Sequence, residues 1–170
     1  MPEPVDKDAC ELLDADHLAV KHLFVEYARM AYAPGAPASA DRAAIAAKIC
    51  DEITVHAQIE EEIFYPALRE AVSGAADVVA EAEQEHQQAK ALIAQIRERG
   101  GAADDGMDQL VADLARAIEH HVKEERDELF PKARSTPGLD LGALGARLAQ
   151  RQQDLMQEQS APEMPRVRRR

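Results

Sequence analysis

Apolar residues recur along this chain in alternating steps of three and four, the spacing of one face of an α-helix. Four long segments carry the pattern. The first runs from about Asp6 to Tyr32 and is stopped by Ala33-Pro34-Gly35-Ala36-Pro37. The second opens near Ser39, a candidate N-cap, and runs to about Val72, ahead of Ser73-Gly74. The third spans about Ala76 to Arg99, ahead of Gly100-Gly101. The fourth opens near Asp104 or Asp105 and reaches about Arg134, ahead of Ser135-Thr136-Pro137-Gly138. Short connections between long helices make sequence neighbours antiparallel, so the expected fold is all-α, an up-down-up-down four-helix bundle. A fifth segment, about Leu139 to Gln157, is weakly amphipathic through Leu141, Leu144, Leu148 and Leu155. It is expected to pack on the outside of the bundle or to fray. The bundle domain is set at residues 1–136 and a C-terminal extension at 137–170. The ending Arg166-Val167-Arg168-Arg169-Arg170 reads as a flexible basic tail.

The inward stripe of each helix follows from the same spacing. It reads Leu13, His17, Val20, Phe24, Tyr27, Ala31 in the first helix and Ile49, Ile53, His56, Glu60, Ile63, Ala67 in the second. It reads Val79, Ala82, His86, Ala89, Ile93, Ile96 in the third, and Leu110, Leu114, Ala117 or Ile118, His121, Glu125, Leu129 in the fourth. Each stripe holds one histidine, and two stripes add a glutamate four residues later, about one turn along the same face. A glutamate at a core position has a large desolvation cost unless it is paired or bound to metal.

The pattern occurs twice. Asp16-His17-Leu18-Ala19-Val20-Lys21 resembles Glu85-His86-Gln87-Gln88-Ala89-Lys90, and His56-Ala57-Gln58-Ile59-Glu60 resembles His121-Val122-Lys123-Glu124-Glu125. The latter two reach Tyr65-Pro66 and Phe130-Pro131 at equal offsets. The chain therefore reads as two helix pairs, each giving one His and then one His-x-x-x-Glu, which meet face to face about a pseudo-two-fold axis. A proline inside a helix costs about 3 kcal/mol. Its recurrence at matched places suggests a shared local shape, or else marks two helix ends. His120 and Glu124 are also four apart. The offset to Pro131 and the apolar stripe select His121 and Glu125 over them. His22, about 140° around the helix from His17, is expected at the surface.

Composition narrows the chemistry. The net charge of −12 disfavours nucleic-acid binding by the body of the protein, because phosphate contact needs a basic face. No apolar run is long enough to span a membrane, and the acidic, polar N-terminus has no signal-peptide pattern. Cys10 and Cys50, in no CxxC pairing, fit a reducing cytoplasm. Six ligands exceed what one tetrahedral zinc needs. Four imidazoles and two carboxylates suit two metals with the carboxylates bridging, so that each metal takes two histidine nitrogens and one oxygen from each glutamate. An oxo or hydroxo bridge would add a fifth donor. Mixed N/O ligation in a bundle favours iron, with manganese and zinc left open by spacing alone.

The combined pattern resembles the hemerythrin-like HHE cation-binding family. It comprises Asp16-His17, His56-x-x-x-Glu60-Glu61 with Phe64-Tyr65-Pro66, Glu85-His86, and His121-x-x-x-Glu125 with Phe130-Pro131, over roughly residues 8 to 134. The resemblance implies a hemerythrin-like bundle around a non-heme di-iron centre ligated by His17, His56, Glu60, His86, His121 and Glu125. In one respect the chain departs from the oxygen carriers of that family. They have a fifth histidine one turn after the ligand histidine of the third helix, and that position is Lys90 here. A tyrosine or Glu61 is a candidate to fill the gap. The expected partner is a small ligand such as dioxygen, peroxide or nitric oxide, bound for sensing, storage or iron handling. The alternatives are a di-iron oxidoreductase that decomposes peroxide or nitric oxide, and a metal-free structural bundle.

Overall fold

A computed structural model of the protein describes residues 6–32, 39–100 and 103–160. These form helices α1 (Ala9–Tyr32), α2 (Ser39–Ile59), α3 (Tyr65–Ala71), α4 (Ala76–Arg99), α5 (Asp105–Glu124), α6 (Phe130–Arg134) and α7 (Leu141–Ser160). No strand occurs among the described residues. The alanine-rich sequence favours helix nearly everywhere, and aspartates close the starts. Asp8 accepts from the Glu11 backbone N–H, Asp104 from that of Met107 and Asp140 from that of Ala143, each at 2.9 Å. Glycines with positive φ, Gly74 (77°) and Gly100 (48°), follow α3 and α4. The predicted loop at 33–37, Gly101 and the arginine tail lie outside the described residues.

Two of the four rods are composite. Between α2 and α3 the chain makes one π-helical turn at Glu60–Phe64, and between α5 and α6 another at Glu125–Leu129. Pro66 and Pro131 sit in the first turn of the resumed helix. A proline ring clashes with the carbonyl four residues back in a regular helix. A wider turn moves that carbonyl away and needs no donor from the proline. The matched prolines thus mark continuing rods rather than helix ends.

The extra residue per turn also shifts the inward stripe. Past Glu60 the buried positions are Phe64, Tyr65 and Leu68, while the predicted Ile63 and Ala67 are only partly buried. In α5 the deep positions are Met107, Val111 and Leu114, with Leu110 at the margin. The stripe of α4 is buried from Val79 to Ile96 as the spacing predicts.

The bundle core is divided. One cluster joins Leu13, Ile59, Phe64, Tyr65, Leu68 and Phe130. The other joins Val20, Ile49, Ile53, Ile93, Val111 and Leu114. The histidines lie between them along the axis. Of the two expectations for α7, packing on the outside of the bundle holds: it lies against α1 and α2, with Leu144, Leu148 and Leu155 buried in the first cluster. Gly145 permits the approach, since a Cβ there would come within 2.4 Å of the Lys7 carbonyl oxygen. None of the helices described is long and apolar enough to cross a membrane.

Candidate metal centre

All six predicted residues converge. His17, His56, Glu60 and Glu125 bring ligand atoms within 4.8 Å of one another, and so do Glu60, His86, His121 and Glu125. Both glutamates belong to both groups. The Nε2 atoms of His17 and His56 are 3.1 Å apart, and those of His86 and His121 also 3.1 Å. Glu60 and Glu125 have no solvent exposure. The rivals are elsewhere: His22 and His120 are exposed, and His120 pairs with Glu124 and Glu85 at the surface.

The oxygens of these glutamates are short of partners. Both oxygens of Glu60 and Oε2 of Glu125 are buried without a hydrogen bond. Nevertheless Glu60 Oε1 lies 2.7 Å from His56 Nε2, and Glu125 Oε1 lies 2.6 Å from His121 Nε2. Neither of these short contacts is a hydrogen bond; the partner of Glu125 Oε1 is the Tyr65 hydroxyl. The imidazole nitrogens and carboxylate oxygens instead cluster around two points that share both glutamates. Two buried carboxylates left this way would cost several kcal/mol each, and a cation at each point answers the cost. This donor set fits a pair of metal ions.

The charges in the pocket follow from burial. Burial and the adjacent Glu125 carboxylate push Glu60 well above the usual carboxylate range. Burial opposes charge on Glu125 too, but the positive His121 beside it and the close approach of Glu60 and His17 outweigh it and hold Glu125 well below that range. Burial likewise opposes charge on His121, yet Glu125 and Glu85 raise it to about 11. Burial and the positive His121 depress His86 to about 3. Protons on Glu60 and His121 therefore offset the negative charge that cations would offset in the loaded protein.

A second layer of side chains orients the imidazoles. His56 Nδ1 lies 3.1 Å from Asp16 and His121 Nδ1 lies 3.1 Å from Glu85. Each acid precedes the histidine of one helix and holds the histidine of the partner helix. The duplicated acid-His pair in the sequence was the signal for this role, which the spacing argument left unread. Asp16 is itself held by Gln152 of α7 at 2.7 Å, a link with no signature in the sequence. Tyr65 is the other residue that position alone did not assign. Its hydroxyl donates to Glu125 Oε1 at 2.8 Å and lies 3.2 Å from His86 Nε2. Of the two candidates for the missing donor, Tyr65 reaches into the pocket. Glu61 stands outside it, against Lys90 at 2.7 Å.

Comparison with known proteins agrees with this geometry. The model of the Hemerythrin HHE cation binding domain matches residues 8–133. The chain belongs to the hemerythrin HHE cation-binding domain family. A similar solved structure is that of a hemerythrin HHE cation binding domain-containing protein from Mycobacterium kansasii, an Rv2633c homolog. It has 25% sequence identity and a TM-score of 0.71, over 89% of each chain. No curated protein is similar enough to count as a match. Within this HHE domain the paired His/Glu clusters are compatible with metal binding.

Proposed function

We propose that this HHE protein is a non-heme di-iron protein that binds dioxygen or a related small ligand, peroxide or nitric oxide, for sensing, storage or iron handling. His17 and His56 would hold one iron, His86 and His121 the other, and Glu60 and Glu125 both. The observation that carries this reading is the pair of fully buried glutamates whose free oxygens face imidazole Nε2 atoms at hydrogen-bond distance. Iron is favoured over manganese or zinc by the mixed imidazole and carboxylate set in a helical bundle. When bound, the two ions supply redox electrons and open coordination positions for a small ligand.

The protein's own residues do the rest. Asp14, Asp16 and Glu85 fix imidazole orientation. Val20, Ile53, Ile93 and Ile118 line a small, partly open space of about 30 Å³ beside the imidazoles, room for a diatomic or peroxide-sized molecule and little more. The Tyr65 hydroxyl places a proton donor at the other side of the pocket. Anaerobic reduction of iron-loaded protein followed by air should give a reversible optical change. Irreversible bleaching, or no change, would argue against ligand carriage.

The Tyr65 hydroxyl also favours a second reading, an oxidoreductase that decomposes peroxide or nitric oxide. A donor beside the reacting oxygens is what such turnover needs. Peroxide consumption by iron-loaded protein should then fall in Tyr65→Phe and vanish in His56→Ala. Equal rates in wild type and His56→Ala would exclude this reading.

A further inference from the structure

The two halves of the centre are related by the sequence repeat, but their supports differ. Two of the four inward imidazoles have Nδ1 held closely by a carboxylate, His56 by Asp16 and His121 by Glu85, each at 3.1 Å. His17 Nδ1 still makes a longer hydrogen bond, 3.4 Å, to Asp14 Oδ1, an oxygen that also accepts from Arg126 at 2.6 Å. His86 has no such bond. Its Nδ1 is buried with no hydrogen-bond partner. The facing carboxylate is Glu61, whose Oε1 is 3.5 Å away, too far for a well-formed N–H···O bond. Glu61 is turned toward Lys90, whose Nζ contacts Oε1 at 2.7 Å and Oε2 at 2.9 Å. An ammonium gripping both oxygens outcompetes a neutral N–H for the same carboxylate. Lys90 lies one turn after His86 on α4, where it can hold Glu61 aside.

We propose that the Lys90–Glu61 ion pair makes the His86/His121 position the weaker of the two metal positions, because it withholds the carboxylate that would orient His86. This rests on the metal reading above. A ligating imidazole that donates its other N–H to a carboxylate is fixed in tautomer and ring direction and is a stronger donor. Loss of such a partner typically lowers metal affinity 10- to 100-fold. The His17/His56 position therefore fills first, and the His86/His121 position fills second and empties first. Glu61 is a positioning residue that acts through His86, and Lys90 decides whether it acts.

Cobalt(II) is a suitable probe, because its visible bands report each ligand field and it resists oxidation. Full-length metal-free protein is titrated with cobalt(II), and the two binding constants are fitted from the bands. Wild type should bind two equivalents, the second at least about tenfold more weakly. Lys90→Met should tighten the second by roughly 10- to 100-fold and largely spare the first. Lys90→Arg should keep the wild-type order.

Removing a positive charge near cations could tighten binding by itself, so a second substitution separates the causes. Glu61→Gln alone should leave the second constant near its wild-type value, and Glu61→Gln in the Lys90→Met background should cancel the gain. A gain that survives Glu61→Gln, or an unchanged second constant in Lys90→Met, overturns the proposal. A wild type that binds no cobalt overturns the metal reading itself. Lys90 and Glu61 both reach solvent, with 42% and 22% side-chain exposure, so these variants should fold.

Discussion

This HHE protein buries acidic side chains at two places, and it treats them in opposite ways. At one end of the bundle, Asp108 accepts from the Tyr27 hydroxyl at 2.6 Å and from Arg42 Nη1 at 2.8 Å on both oxygens. Its charge is neutralised by the protein alone. At mid-bundle, Glu60 and Glu125 are more deeply buried, and three of their four oxygens have no hydrogen-bond partner. The first arrangement is complete as a piece of structure. The second leaves carboxylate oxygens free, beside imidazoles, where a bound cation could take them up. Burial of a charge thus marks function only when its partners are missing.

The sharpest way to break this contrast is to remove one charge at each place. Glu60→Gln should abolish binding of both metal ions, since Glu60 serves both positions, while the melting temperature of the metal-free protein holds steady or rises. Elemental analysis with thermal melts reads both. Retention of two ions would contradict the shared role of Glu60. Asp108→Ala should do the reverse. It leaves the partly buried Arg42 and the Tyr27 hydroxyl without their acceptor and should destabilise by up to about 3 kcal/mol, with metal content per folded chain unchanged, as urea melts and metal analysis would report.

Acid and base sharpen the comparison next. His86 has a folded-state pKa of about 3 against an ordinary 6.5. Its contribution to stability is present above pH 6.5 and is lost as pH falls toward 3. His121, raised from 6.5 to about 11, works the other way. Its contribution is intact below pH 6.5 and declines as pH rises toward 11. The two histidines together therefore contribute most near pH 6.5 in metal-free protein. In loaded protein a cation replaces the His121 proton, so the alkaline decline should flatten and loading should release protons. Urea midpoints across pH, with and without metal, test this. Identical profiles would contradict it.

The smallest expected effect uses the two thiols. Cys10 lies in the cluster beside α7 and Cys50 in the cluster that also holds Tyr27. Burial pushes each thiol up to about 11, so both should resist a thiol reagent in the folded state. In Asp108→Ala, Cys50 should label faster while Cys10 stays protected. Equal acceleration of both would mean that the ends do not open independently.

Much of this was legible in the sequence, and the reasons are local. The helices read correctly because their apolar spacing is long and their capping aspartates and terminal glycines are ordinary. That the six residues meet was legible because the motif is duplicated, and the offset to Pro131 and the apolar stripe separated His121 from His120. The shift of the buried stripe from Ile63 to Phe64 did not read, because a π-helical turn breaks the period on which the reading depends. Pro66 and Pro131 signalled a disturbance without saying which kind. Partners such as Gln152 for Asp16, and Lys90 for Glu61, come from tertiary contact between helices far apart in sequence, where no period carries information.

The central claim is that two cations share Glu60 and Glu125. Anomalous diffraction at the iron edge from crystals of iron-loaded protein tests it most directly. Two peaks are expected, one beside the Nε2 atoms of His17 and His56 and one beside those of His86 and His121, each within bonding distance of both glutamates. A single peak, or peaks away from Glu60 and Glu125, would contradict it.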